Sequence, residues 1–194
     1  MKKGDNRYKN GFTMLEVVLV LAIAGLIFLM IFLALPALQR TERDSERKED
    51  IVRLLDNIKK YQTKNRGALP ELPEGGSSIV VDWDAIKTSE PSKTSWAGFY
   101  KEYLGERFVN PLGNNYKLEV LKCDMTAVDG VCSTKVQTAM TTLNGDFDES
   151  NPIYVVAQAK CAGDMETGVV ANSNARNVAV VVQLEGAGLY CASS

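Results

Sequence analysis

The side chains able to do chemistry are few and unevenly placed. Glu16 stands at the border of a run, Val17 to Leu38, that holds no charged residue. In a membrane, a carboxylate costs about 2.5 to 3.5 kcal/mol at a helix centre and less near its end, unless it is paired or neutralised. A group kept there against that penalty has a task, and pairing with a cation is the chemistry open to it. Four cysteines, Cys123, Cys132, Cys161 and Cys191, allow three disulfide pairings, and with no C-x2-C spacing they are not expected to hold zinc. Asn144, Asp146 and Asp148 alternate like the oxygen ligands of a calcium loop. The glycine and distal glutamate of an EF-hand are missing from their places, so a polar turn is expected and calcium stays a candidate only. No other metal and no cofactor is expected. The chain has no histidine, which excludes Ser-His-Asp and Cys-His hydrolytic sites and imidazole-bound metals. No Gly-rich phosphate loop occurs, and no nucleophile and base come together, so the chain is not expected to be an enzyme.

The elements that must position these residues begin with a basic segment. Met1 to Gly11 carries Lys2, Lys3, Arg7 and Lys9 against Asp5, a net +3 directly before the apolar run. Such a flank keeps the N-terminus cytoplasmic. The run has 22 residues, about 33 Å at ~1.5 Å per residue, enough for the roughly 30 Å hydrocarbon core. It exceeds the h-region of a secretory signal, and Ala34-Leu35-Pro36-Ala37 makes a poor cleavage site. One transmembrane helix is expected, with everything after it outside the cytoplasm.

Gly11-Phe12-Thr13-Met14-Leu15-Glu16, behind a short basic leader and before about twenty apolar residues, resembles the processing motif of type IV prepilins and the related pseudopilins. Four features stand in register: basic leader, glycine, phenylalanine, and glutamate four residues after the phenylalanine. The resemblance implies that prepilin peptidase cuts between Gly11 and Phe12 and methylates the new Phe12 amine. It implies that Gly25 and Pro36 bound a stretch able to lose helicity in a filament. After the cut, Glu16 lies one turn inside a helix that begins with a cation. Within one subunit it favours the helix N-terminus through the macrodipole. Between subunits it can pair with a neighbour's Phe12 amine and set axial register, which accounts better for the burial penalty.

From Gln39 to Arg66 there is no helix breaker, so one helix is expected over Phe12 to Arg66, with Gly67 and Pro70 as stop signals. Asp44/Lys48, Glu49/Arg53 and Asp56/Lys60 are spaced as i,i+4 pairs. Residues 40 to 50 hold almost no apolar side chain; they suit a solvated collar, with ion pairing between subunits as the other use. Ile51, Leu54, Leu55, Ile58 and Tyr61 mark an apolar face that needs a sheet to pack on.

The expected division is a leader over 1–11, a transmembrane and filament-core helix over 12–38, its soluble half over 39–66, and an extracytoplasmic head over 67–194. In the head, 68–95 reads as a connecting loop with one edge strand near Ile79–Trp83. Trp96, Phe99, Tyr100, Tyr103 and Leu104 share helical spacing after Ser95, and as a stripe belong to the core. Asn110 to Tyr116 is a turn cluster, similar to one before the first sheet strand of many pseudopilins. Strands are expected at Tyr116–Lys122, 134–140, Ile153–Lys160, Asn177–Leu184 and Gly188–Cys191, and short linkers favour an antiparallel meander. The fold class is therefore α+β, one long helix on an antiparallel sheet, as the pilin resemblance also implies. Cys123 and Cys132 flank a polar loop, and Cys161 and Cys191 end two apolar strands; these pairs are expected, worth about 2.7 and 3.6 kcal/mol by loop entropy. In the resembled family a C-terminal disulfide-bounded region forms exposed filament surface.

The expected function is structural: a type IV pilus subunit, held in the inner membrane until it is extracted into a surface filament for adhesion, twitching motility or DNA uptake. Its partners would be prepilin peptidase, the pilus assembly platform and further copies of itself. Without the leader the chain keeps 18 basic and 23 acidic residues, net −5, so direct nucleic-acid binding is not favoured. A pseudopilin of a secretion or competence system is the nearest alternative, followed by a single-pass anchored binding protein that never polymerises.

Overall fold

A computed structural model describes residues 11–74, 77–123, 132, 134–143, 147–163, 168–172, 174–186 and 188–194. Helix α1 spans Met14–Lys64. Its far end is closed by Arg66 (φ 57°) and Gly67 (φ 86°) in left-handed backbone, with the Gly67 N–H donating to the Gln62 carbonyl at 2.6 Å. The chain divides into two compact units, residues up to Arg40 and Thr41–Ser194.

In the second unit, strands β1 (Ile79–Val81), β2 (Leu118–Lys122), β3 (Ile153–Ala157), β6 (Val178–Leu184) and β7 (Gly188–Ser193) form one sheet in the order β1-β2-β3-β6-β7. Strands β4 (Ala159–Cys161) and β5 (Val169–Ala171) form a separate antiparallel pair. The sheet is mixed, because β2 and β3 run parallel, Leu118 against Ile153 through Lys122 against Ala157. This corrects the expected meander. Parallel neighbours need a crossover of a dozen or more residues, and the chain between β2 and β3 contains helix α4, Thr134–Leu143.

The same helix overturns the strand expected at 134–140. Val136, Ala139, Met140 and Leu143 repeat at 3, 1 and 3 residues, and all four are buried. That spacing is the period of a helix with one face in the core.

Every residue of β3 and β6 is buried, and successive side chains alternate between two cores. Val178, Val180, Val182 and Leu184 of β6 join Ile51, Leu54, Leu55, Ile58 and Tyr61 of α1 in one core. Ala179 and Val181 join Val136, Met140 and Leu143 of α4, together with Ala159 and Val169 of the small sheet, in the other. The unalternated run VAVVV thus belongs to a central strand covered on both faces. Gln183, on the same face, is buried and fully engaged: its Nε2 donates to the Leu143 carbonyl, and its Oε1 accepts from Asp148 N–H and Asn151 Nδ2.

The expected strand Ile153–Lys160 is broken at Gln158, whose φ of 58° turns the chain out of the main sheet and into the small one. The aromatic stripe is helical as expected. It runs as α3 (Trp96–Phe99), after the short helix α2 (Trp83–Ile86), and continues through a π turn, Tyr100–Leu104. Ser95 caps α3 by accepting from the Gly98 N–H at 3.1 Å. Disulfides join Cys123 to Cys132 and Cys161 to Cys191; the second ties β4 to edge strand β7.

Candidate functional site

The first candidate is the segment where α1 begins. The Thr13 carbonyl accepts from the N–H groups of Glu16 (3.1 Å) and Val17 (3.3 Å), and its hydroxyl also accepts from Glu16 N–H. Thr13 therefore does the work of an N-cap, using a donor that the helix itself cannot satisfy. Gly11 and Phe12 lie before the helix, and Phe12 is 83% exposed. The Gly11–Phe12 peptide is thus outside the helical hydrogen-bond ladder and open to an enzyme. Glu16 sits in the first turn of α1, exposed, and its carboxylate forms no ion pair among the described residues.

Beyond it the helix is long and apolar enough to cross a membrane by length and composition, with a mean hydropathy of 3.2 in its best window and none of that window buried. Leu21, Phe28 and Leu33 are examples of large apolar side chains left bare. Apart from its chain neighbours and the adjacent helix backbone, Gly25 has no atom within 4 Å of the place a Cβ would occupy, and Pro36 lies inside the helix. Residues 25 to 36 are helical throughout.

The second candidate was not legible as a site. Residues 40 to 50, read as a solvated collar, are solvated only on one side: Asp44 is 7% exposed and Arg47 is 3% exposed. The two ends of a contact exchange acids. Asp44 of α1 accepts from the N–H groups of Glu185 (2.8 Å) and Gly186 (2.9 Å) in the β6–β7 turn. Glu185 of that turn accepts from Arg43 Nε (2.8 Å) and Nη2 (2.6 Å), and from Arg47 Nη1 (2.7 Å). The Arg47 guanidinium also lies 4.7 Å from the Phe147 ring centroid. The Arg43 hydrogen bonds, with Arg47 behind them, outweigh burial and hold the Glu185 carboxyl at about 2, far below the usual glutamate range.

The expected pairs Asp44/Lys48, Glu49/Arg53 and Asp56/Lys60 are not formed among the described residues. Asp44 is taken by the β6–β7 turn, the Lys48 ammonium lies over the Tyr190 ring at 5.8 Å, and Lys60 reaches Asn57 instead. Exposed pairs gain too little to hold two long side chains in place. One signal could have found the clamp: the apolar stripe 51, 54, 58, 61 runs back at the same three-and-four spacing to Arg47 and Asp44.

Of the calcium candidates, Asn144 and Asp146 lie outside the described residues. The Asp148 carboxylate accepts from both the N–H and the hydroxyl of Ser150 at 2.8 Å, which lowers its pKa and closes a turn. The described residues contain no group of three or more acidic or cysteine side chains placed to hold a metal. The Asn110 turn is built by its side chain, whose Oδ1 accepts from the N–H groups of Leu112 and Asn114.

The start of α1 thus combines a capped helix end, an exposed peptide bond, a carboxylate with no ion pair among the described residues, and an exposed apolar helix. Residues 6–32 match the prokaryotic N-terminal methylation motif, the type IV prepilin-type signal. The motif supports a type IV pilin- or pseudopilin-type protein, a structural class, and with the apolar helix it supports membrane anchoring before assembly. No curated protein and no solved structure matches the chain.

Proposed function

We propose that the chain is a structural subunit of a type IV pilus. Prepilin peptidase cuts between Gly11 and Phe12 on the cytoplasmic side and methylates Phe12, and the subunit waits in the inner membrane as a single-pass protein. The assembly platform then draws it into a helical filament. The observation that carries this is the methylation motif leading into an apolar helix with no buried window. Out of lipid, helices of this kind are re-covered only by one another; burying about 400 Å² per subunit contributes on the order of 10 kcal/mol.

Glu16 pairs with the Phe12 amine of a neighbour and sets the subunit's height, a role supported by an exposed carboxylate that forms no ion pair among the described residues. Gly25 and Pro36 mark the stretch that can loosen during assembly, Gly25 by its low helix propensity and Pro36 by its missing N–H. The head, residues 67–194 with the second half of α1, decorates the filament and acts in adhesion, motility or DNA uptake. Intact mass of the purified protein tests the core of this function. Loss of residues 1–11 with one methyl group on Phe12 supports it, and an uncut chain overturns it in favour of a plain membrane anchor.

The Asn110–Tyr116 turn favours a second function, a pseudopilin of a type II secretion or competence apparatus. Long surface filaments support the pilus; short filaments together with a secretion defect in the deletion strain support the pseudopilin.

A further inference from the structure

A cavity of about 250 Å³ opens between the Asn110–Tyr116 turn, which leads into β2, and the segment Glu149–Asn151, which leads into β3. Every described side chain that lines it carries a nitrogen or an oxygen. Three of these groups are already engaged: the Lys117 ammonium with Asp82 at 3.3 Å, the Tyr116 hydroxyl with Asp50 at 3.1 Å, and the Ser150 hydroxyl with Asp148 at 2.8 Å. Two of the amides are oriented from behind. Asn110 Oδ1 accepts from the Leu112 and Asn114 N–H groups, at 3.1 and 2.9 Å, so Nδ2 is the end left over. The Leu143 carbonyl accepts from Gln183 Nε2 at 2.8 Å, Gln183 Oε1 then accepts from Asn151 Nδ2 at 2.7 Å, and Asn151 is left with Oδ1. Neither leftover atom has a partner among the described residues, and neither is buried. Asn115 Oδ1 is buried and accepts no hydrogen bond among the described residues, a condition few native groups share. Glu149 is exposed and forms no ion pair among the described residues.

We propose that this cavity binds a neutral carbohydrate. Asn110 offers it a donor, and Asn151, Asn115 and Glu149 offer acceptors. An anion would face the Glu149 carboxylate, while the Lys117 ammonium is already paired. A bare metal cation would use the acceptors but meet the N–H of Asn110. An apolar ligand would leave all of these groups desolvated and unsatisfied. A hydroxyl both donates and accepts, and a sugar ring holds several hydroxyls at fixed spacing, so it answers the mixed set. Asn110 and Asn151 are fixed before the ligand arrives, which lowers the ordering cost of binding. A turn of the Asn115 amide toward the cavity gives its orphaned oxygen the donor that the chain withholds. The site lies wholly in the unit Thr41–Ser194. It is therefore independent of assembly and holds equally for a pilus, a pseudopilus or a membrane anchor.

The test titrates the full chain, held in a detergent with no sugar headgroup, with glucose, galactose, mannose and N-acetylglucosamine, and reads binding by ligand-observed NMR. At least one of the four should bind saturably in the millimolar range. Glu149→Ala and Asn115→Ala should each weaken that binding about tenfold, the cost of one lost hydrogen bond to a ligand. Thermal unfolding separates this from a structural role. Asn115→Ala removes a buried acceptor that has no donor, so the free variant should melt no earlier than the parent. A lower melting temperature for Asn115→Ala means that the amide holds the fold, and overturns the site. No saturable binding of any of the four sugars overturns it, as does binding that survives either substitution at full strength. Calcium chloride is the remaining arm: binding of calcium that is lost in Glu149→Ala, with no sugar bound, overturns the proposal in favour of a cation site.

Discussion

Replacing Glu185 by glutamine keeps the shape of the β6–β7 turn and removes one charge from the clamp. In the parent, Glu185 is bound at both oxygens by Arg43 and at one by Arg47, with its own side chain only 10% exposed. Its carboxyl is lowered from 4.5 to about 2. That difference corresponds to about 3 kcal/mol of folding free energy above the unfolded value. The substitution also leaves Arg47 buried with Asp44 at 3.3 Å as its remaining carboxylate partner, and breaking one member of a buried pair costs about 3 to 5 kcal/mol. A loss of about 3 kcal/mol at pH 7 is therefore expected. Because the folded-state value is depressed, the stabilisation is complete above about 4.5 and is lost as pH falls through about 2. Urea unfolding of the full chain in detergent, followed by the fluorescence of Trp96, which is 1% exposed, measures both effects; urea is chosen because it does not screen ion pairs. The parent and Glu185→Gln should differ most at neutral pH and converge near pH 2. A difference under about 0.5 kcal/mol at pH 7, as for an ordinary surface substitution, or one that persists unchanged at pH 2, refutes the reasoning.

Three further outcomes are expected. Glu16→Val should leave a membrane-inserted, folded subunit that no longer forms filaments, checked by cell fractionation and electron microscopy; normal filaments in that variant remove the proposed role of the carboxylate. Gly98→Ala should destabilise the head by more than about 2 kcal/mol in urea, because the added methyl overlaps the Ser92 carbonyl oxygen, which is backbone and cannot turn aside. Leu143→Ala, at a fully buried position of α4, should cost about 2 to 5 kcal/mol by opening a cavity against Gln183 and β6; a neutral result would mean that α4 does not cover this face.

The parts of the fold that were legible share a local cause. The apolar run, the helix stop at Gly67 and the doubly buried strand at 178–184 each depend on residues within a few positions of one another. Ser95 as a cap and the turn at Asn110 are equally local, since each side chain bonds backbone two to four residues away. The misread elements depended on partners far along the chain. The segment 134–143 has mixed propensity, and only the open face of the sheet, lined by Val156 and Val181, makes its helical face worth burying. The parallel pairing of β2 and β3 follows from that helix and from no feature of either strand.

The prepilin-type segment was readable because it is written in consecutive residues: Gly11, Phe12 and Glu16 form a linear motif, and a membrane responds to uninterrupted hydrophobicity. The amino-acid sequence alone therefore determined the prepilin-type signal, the apolar helix and the α+β class. Tertiary structure alone decided what the charged layer does. Arg43, Asp44 and Arg47 acquire a common partner only when β6 and β7 bring Glu185 and Gly186 beside them, some 140 residues along the chain. Burial then converts charges that would be nearly worthless in water into a charge-assisted contact that ties α1 to the β6–β7 turn.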